Sequence, residues 1–100
     1  MDIVDRFTIL VVDEEPPICD ILTRIAQKAF PQAQFVNTRS VAETYHYLDQ
    51  QVTELPQLIL LDIDLKEAKN GLDMLPELNH RLQGRVPIIM LSVQTERLKV

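Results

Sequence analysis

Apolar residues fall along this chain in two rhythms. In three stretches they follow one another directly: residues 7–12 (FTILVV), 58–61 (LILL) and 86–91 (VPIIML). Unbroken runs of that length, rich in Val, Ile and Leu, fit strands covered on both faces, as in a parallel sheet flanked by helices. A weaker run at 33–36 (AQFV) predicts one more strand. Between the runs the spacing becomes helical. Pro16 and Pro17 stand where a first helical turn tolerates proline, and Ile18, Ile21, Leu22, Ile25 and Ala29 then recur at helical intervals. Ser40 followed by Glu43 forms a capping box opening a second helix through Val41, Tyr45 and Leu48. A third helix is predicted from about residue 71 to 81, with Leu72, Leu75, Leu78 and Leu82 on one face. Pro76 within it predicts a short or kinked first turn.

The resulting order, βαβαβαβ, predicts a right-handed, three-layer α/β domain over residues 1–100. The two glycines, Gly71 and Gly84, both fall at element boundaries, and neither a repeat nor a Gly/Ser linker divides the chain. Composition narrows the partners. One hundred residues make one small domain, and a net charge of −5 argues against nucleic acid or an anionic membrane as direct partners. Cys19 is the single cysteine, which excludes an internal disulfide and predicts a reducing, cytoplasmic setting. The longest apolar runs are strand-length, too short to span a bilayer. Cys19 is read as a packing residue, and His46 and His80 as surface helix residues.

In an open parallel sheet, ligands bind at the carboxyl ends of the strands. There the first strand is followed by Asp13, Glu14 and Glu15, the third by Asp62 and the fourth by Ser92. Each has an ordinary explanation: a loop aspartate, acids at a helix start, an N-cap serine. Their convergence on one rim favours chemistry. A carboxylate attacks a phosphoryl group poorly unless charge repulsion is relieved, which Mg²⁺ does by bridging the oxygens of both. Asp13, Glu14 and Asp62 suit an ion that prefers oxygen ligands and keeps several waters.

Residues 11–16 (VVDEEP) resemble the first-strand signature of response-regulator receiver domains. Residues 58–62 with Leu65 and 70–72 (NGL) resemble their phosphorylation-site strand and loop, and 87–92 (PIIMLS) their fourth strand with its switch hydroxyl. The resemblance implies a doubly wound, flavodoxin-like sheet of strand order 2-1-3-4. It implies Asp62 as phosphoacceptor, charged by a histidine kinase or phosphotransfer protein. It also implies Mg²⁺ held by Asp13, Glu14, Asp62 and the main-chain carbonyl of Asp64, with Ser92 bonding the phosphoryl group as the switch. Such a domain signals; at most it catalyses phosphoryl transfer to and from its own aspartate.

The chain departs from the family pattern in several places. It stops at Val100, before the fifth strand, its phosphate-contacting Lys and the last helix; Lys66, Lys69 and Lys99 are not assigned that role. The expectations are slow or absent phosphoryl transfer, and either self-association through an exposed fourth-strand edge or a chain that is a piece of a longer protein. The 62–71 loop is one residue longer than usual and lacks its proline, Val93 follows the switch serine where a small residue is usual, and Asp64 adds a charge. Two rivals stand beside this reading. Asp62-Ile63-Asp64 mimics the Asp-x-Asp motif of haloacid-dehalogenase-type phosphatases, without their Gly-Thr and on the third strand rather than the first. The other is a pseudo-receiver that binds proteins without phosphorylation.

Overall fold

A computed structural model describes residues 7–50, 54–63 and 71–91. Four parallel strands, β1 (Thr8–Val12), β2 (Gln34–Thr38), β3 (Leu58–Asp62) and β4 (Ile88–Leu91), lie in the order β2-β1-β3-β4. The helices α1 (Pro16–Ala29), α2 (Val41–Gln50) and α3 (Gly71–Leu82) make the crossovers. The α/β class and the strand order are those expected. β2 runs two residues beyond the apolar stretch that announced it, and β3 takes in Asp62 as its last residue. No helix of the described residues is long and apolar enough to cross a membrane.

Alternate residues of the central strands feed two cores, because a strand points successive side chains to opposite faces. Leu10, Val12, Ile59 and Leu61 pack with Leu48 of α2 and Met74, Leu78 and Leu82 of α3. Ile9, Val11, Leu58 and Leu60 pack on the other side with Cys19, Leu22 and Ala26 of α1. This two-sided burial explains why the central strands read as unbroken apolar runs.

Two helices match their expected stripes only in part: Leu22 of α1 and Leu78 and Leu82 of α3 face the sheet as expected, while other apolar positions turn outward. In α1 the inward line is Cys19, Leu22 and Ala26, while Ile21 and Ile25 are 56% and 63% exposed. Each of these isoleucines precedes an inward residue by one position, a rotation of roughly 100°. In α3 the buried line is Gly71, Met74, Leu78 and Leu82; Leu72 is exposed and Leu75 packs at the flank. Pro76 sits inside α3, which runs unbroken from Gly71 to Leu82. The expected short first turn is therefore not seen.

Polar contacts tie the layers at their edges. Ser40 Oγ accepts the Glu43 N–H at 3.0 Å, as a capping box requires, while the Glu43 carboxylate reaches back to the Arg39 N–H at 2.5 Å rather than to that of Ser40. Thr38 and Thr44 are buried with their hydroxyls 2.8 Å apart, and Thr44 also donates to the Ser40 carbonyl at 2.7 Å. Arg81 of α3 pairs with Asp49 of α2 and with Glu77 at 2.9 Å, its guanidinium 4.4 Å from the centre of the Tyr45 ring.

Gly71 begins α3 directly against the end of β3, donating its N–H to the Ile63 carbonyl at 3.0 Å. A Cβ at this position would lie 2.4 Å from the Asp62 carbonyl oxygen and 2.8 Å from the Ile63 Cα. Both neighbours are backbone, which no rotamer change can move. Gly71→Ala should therefore destabilise the fold by about 1–3 kcal/mol, read as a lower urea midpoint. Gly84→Ala is the control, since open space surrounds that position, although its positive φ of 66° adds a separate local strain.

Candidate functional site

The β2-β1-β3-β4 order reverses direction between β1 and β3, because the chain leaves β1 toward one side and returns to the other. Crossover loops part at such a point and leave a crevice at the carboxyl ends of the two strands. The register sets Val12 beside Leu61, so the next residues, Asp13 and Asp62, come level at the crevice. Both are buried, Asp13 at 2% exposure and Asp62 at 8%. Two acids drawn this far from water need compensation.

Asp13 is held from several directions. Its N–H donates to the Thr38 carbonyl of β2 at 3.0 Å, and its Oδ1 accepts the Glu15 N–H at 2.8 Å. Burial pushes its carboxyl up to about 6; the Glu15 N–H opposes this, and the charges of Asp62, Glu15 and Glu14 push further up. Asp62 ends β3 beside Leu91 of β4, and the adjoining Ile63 N–H donates to the Leu91 carbonyl at 2.8 Å. Nearby, burial first and then Asp13 and Asp20 raise the Cys19 thiol to about 11, with Arg39 opposing. The thiol is therefore protonated at neutral pH, as a packing residue should be.

Of the residues expected at the site, Asp13 and Asp62 meet, and Glu14 follows half-buried at the start of the turn into α1. Asp64 and Ser92 lie outside the described residues, as do Lys66, Lys69, Val93 and Lys99. Among the described residues no three His, Cys, Asp or Glu side chains are gathered to hold a metal. One residue went unread in the sequence: Asn37 of β2, whose side-chain amide lies 3.2 Å from the Asp13 carbonyl oxygen. Asn is disfavoured within strands, and its place just past the apolar 33–36 run was the available signal.

Residues 9–100 match the family described as the response regulator receiver domain. The chain is similar to the MaeR response regulator bound to beryllium trifluoride, at 26% identity and a TM-score of 0.69, over 88% of this chain and 68% of that one. It also resembles a response regulator receiver protein from Pseudomonas putida, at 21% identity and a TM-score of 0.72, over 96% and 77% of the two chains. A signal receiver domain of a modulated diguanylate cyclase from Desulfovibrio desulfuricans G20 aligns at 19% identity and a TM-score of 0.63, over 93% and 71%. The last two likenesses bear on the fold alone. The comparison with curated proteins found no match.

The raised Asp13 pKa has a signed consequence for stability. With a folded value of about 6 against an ordinary 3.8, the neutral carboxyl is the form the fold prefers. Its contribution is complete below about pH 4 and is lost as pH rises through 6. In metal-free buffer, Asp13→Asn should therefore be more stable than the parent at pH 7.5, by on the order of 1–3 kcal/mol. That advantage should shrink toward zero near pH 4 in denaturant titrations.

Proposed function

The chain belongs to the response regulator receiver domain family, and from that premise we propose that it takes part in a phosphorelay, with Asp62 accepting a phosphoryl group from a histidine kinase or phosphotransfer protein. The observation that carries this reading is the levelling of Asp13 and Asp62 at the crevice between β1 and β3. A nucleophilic carboxylate needs an edge where a donor can approach and a neighbour that recruits positive charge. The strand ends supply both.

The donor set fits Mg²⁺. It is all oxygen, two of its members are buried side by side, and the proton affinity of Asp13 is raised by burial and by the Asp62 charge. The absence of a third gathered side chain among the described residues is compatible with this ion, which is commonly held by one or two carboxylates and keeps several waters. In this reading Asp13 and Asp62 hold it directly, the main-chain carbonyl of Asp64 contributes, and Glu14, whose side chain is not gathered with the two aspartates, acts through one of the ion's waters. When bound, the ion offsets the charge shared by the carboxylates and the phosphoryl oxygens.

Asp62 then attacks in line. Its oxygen–phosphorus bond forms as the phosphorus–nitrogen bond to the donor imidazole breaks, and the electron pair returns to that nitrogen. Asp13 keeps its carboxylate oriented through the Glu15 N–H. Ser92, the residue after the end of β4, is the proposed hydroxyl that bonds the phosphoryl oxygens and shifts as it does so. That shift would bias the neighbouring surface between two positions.

Beryllofluoride, a mimic of the acyl phosphate, tests the reading. With Mg²⁺ it should shift backbone amide resonances around Asp13 and Asp62, and Asp62→Asn should abolish the response. A parent chain indifferent to Mg²⁺ and beryllofluoride together would favour a phosphorylation-independent interaction module.

We also propose self-association. β4 borders the described sheet with Ile89 at 48% exposure, and α1 presents Ile21 and Ile25 outward. Ile89 stands beside Leu60, whose side chain belongs to the α1 face, so the exposed isoleucines share one side of the sheet. Light scattering after size exclusion should give a mass above 11.5 kDa at high concentration. Ile89→Lys should return it to monomer by placing a charge on the edge strand.

A further inference from the structure

In a parallel ladder one residue bonds through its N–H and its C=O to two residues of the neighbouring strand that lie two apart. The Asp13 N–H donates to the Thr38 carbonyl. With Val11 beside Asn37 and Val12 beside Thr38, the matching rung would bring the Ser40 N–H to the Asp13 carbonyl. β2 ends at Thr38, however, and Ser40 turns to cap α2. The Asn37 side chain supplies a donor in that place. Its Nδ2 lies 3.2 Å from the Asp13 carbonyl oxygen, 2.9 Å from that of Val11 and 3.2 Å from that of Thr38. Three carbonyls facing one end of the amide fix its NH₂ there, since the amide oxygen would meet only other acceptors.

We propose that Asn37 is a positioning residue that holds Asp13 in the geometry Mg²⁺ requires. The proposal rests on the reading of Asp13 as a ligand of that ion. Asp13 is gripped from β2 on both sides of its α-carbon, at the N–H by Thr38 and at the carbonyl by Asn37, while Glu15 orients its carboxylate. Val11, Asp13 and Thr38 are buried, but Asn37 is itself exposed, so the space its side chain vacates admits water to the carbonyls it releases and the fold loses little without it. What is lost is the fixed direction of Asp13. Mg²⁺ demands near-octahedral geometry at about 2.0–2.1 Å, whereas Ca²⁺ accepts flexible, variable coordination. Loosening Asp13 therefore weakens Mg²⁺ selectively.

The test is calorimetric titration of the whole chain with Mg²⁺ and, separately, Ca²⁺, alongside thermal melts without metal. Asn37→Ala should raise the Mg²⁺ Kd by roughly tenfold, as loss of an outer-shell partner does elsewhere. The Ca²⁺ Kd should change far less, and the metal-free melting temperature should stay close to that of the parent. An unchanged Mg²⁺ Kd, or equal weakening of both ions, overturns the proposal. If Asn37→Ala does not fold, Asn37→Val takes its place: its branched side chain suits a strand and cannot donate, so the Mg²⁺-to-Ca²⁺ affinity ratio remains the readout and should fall. A parent chain that binds no Mg²⁺ defeats the ligand reading and this inference with it. A parent that binds it while Asn37→Ala matches it defeats the inference alone.

Discussion

The parallel register between β1 and β3 is the constraint on which the site depends. Setting Val12 beside Leu61 makes the chain continue on both strands with an aspartate at one height. A slip of one residue would turn the side chains of one strand to the opposite faces, exchanging the two cores and separating the acids. The apolar core thus fixes where two charges sit without touching either. Burial of Leu10, Val12, Ile59 and Leu61 under α2 and α3, and of Ile9, Val11, Leu58 and Leu60 under α1, stabilises the register that draws the carboxylates together. The energy of an unfavourable pair is met by packing elsewhere, a division of labour common at functional sites.

The element order could be read because two-faced burial leaves a plain mark. β1 and β3 carry runs that only a covered strand explains, and the Ser40–Glu43 pair marked the start of α2. The orientation of the helices was less legible. Ile21, Ile25 and Leu72 are as apolar as any core residue, yet the sheet is met by Cys19, Leu22, Ala26 and by Gly71, Met74, Leu78. Small side chains let a helix lie close to a sheet, and periodicity weighted by hydrophobicity undervalues them. Pro76 misled for a related reason. A missing N–H removes one rung, but helix packing through Met74 and Leu78 holds the turns on either side.

At the site, Asp13 and Asp62 were legible because acids directly after apolar strands are chemically out of place. Asn37 was not. An asparagine at a strand end ordinarily reads as a terminator, and its contribution appears only once the ladder is followed past its last backbone rung. Nor does sequence reveal how far burial raises Asp13. That depends on how the strands and helices close over it, and only then on charges such as Asp62, 49 positions away in the chain.

The meeting of Gly71 with the end of β3 has a mechanical side. Most contacts between a helix and a sheet pass through side chains, which can change rotamer and absorb a small displacement. Here a helix terminus rests on the peptide carrying Asp62 with nothing interposed, and the Gly71 N–H is bonded to the residue after it. Such a joint has no slack. A shift of a few tenths of an ångström in that peptide would be passed to α3 rather than dissipated, and α3 is linked through Arg81 to Asp49 and Tyr45 of α2. The two helices on that face would then answer to the strand end as one plate, hinged where the chain could afford no side chain at all.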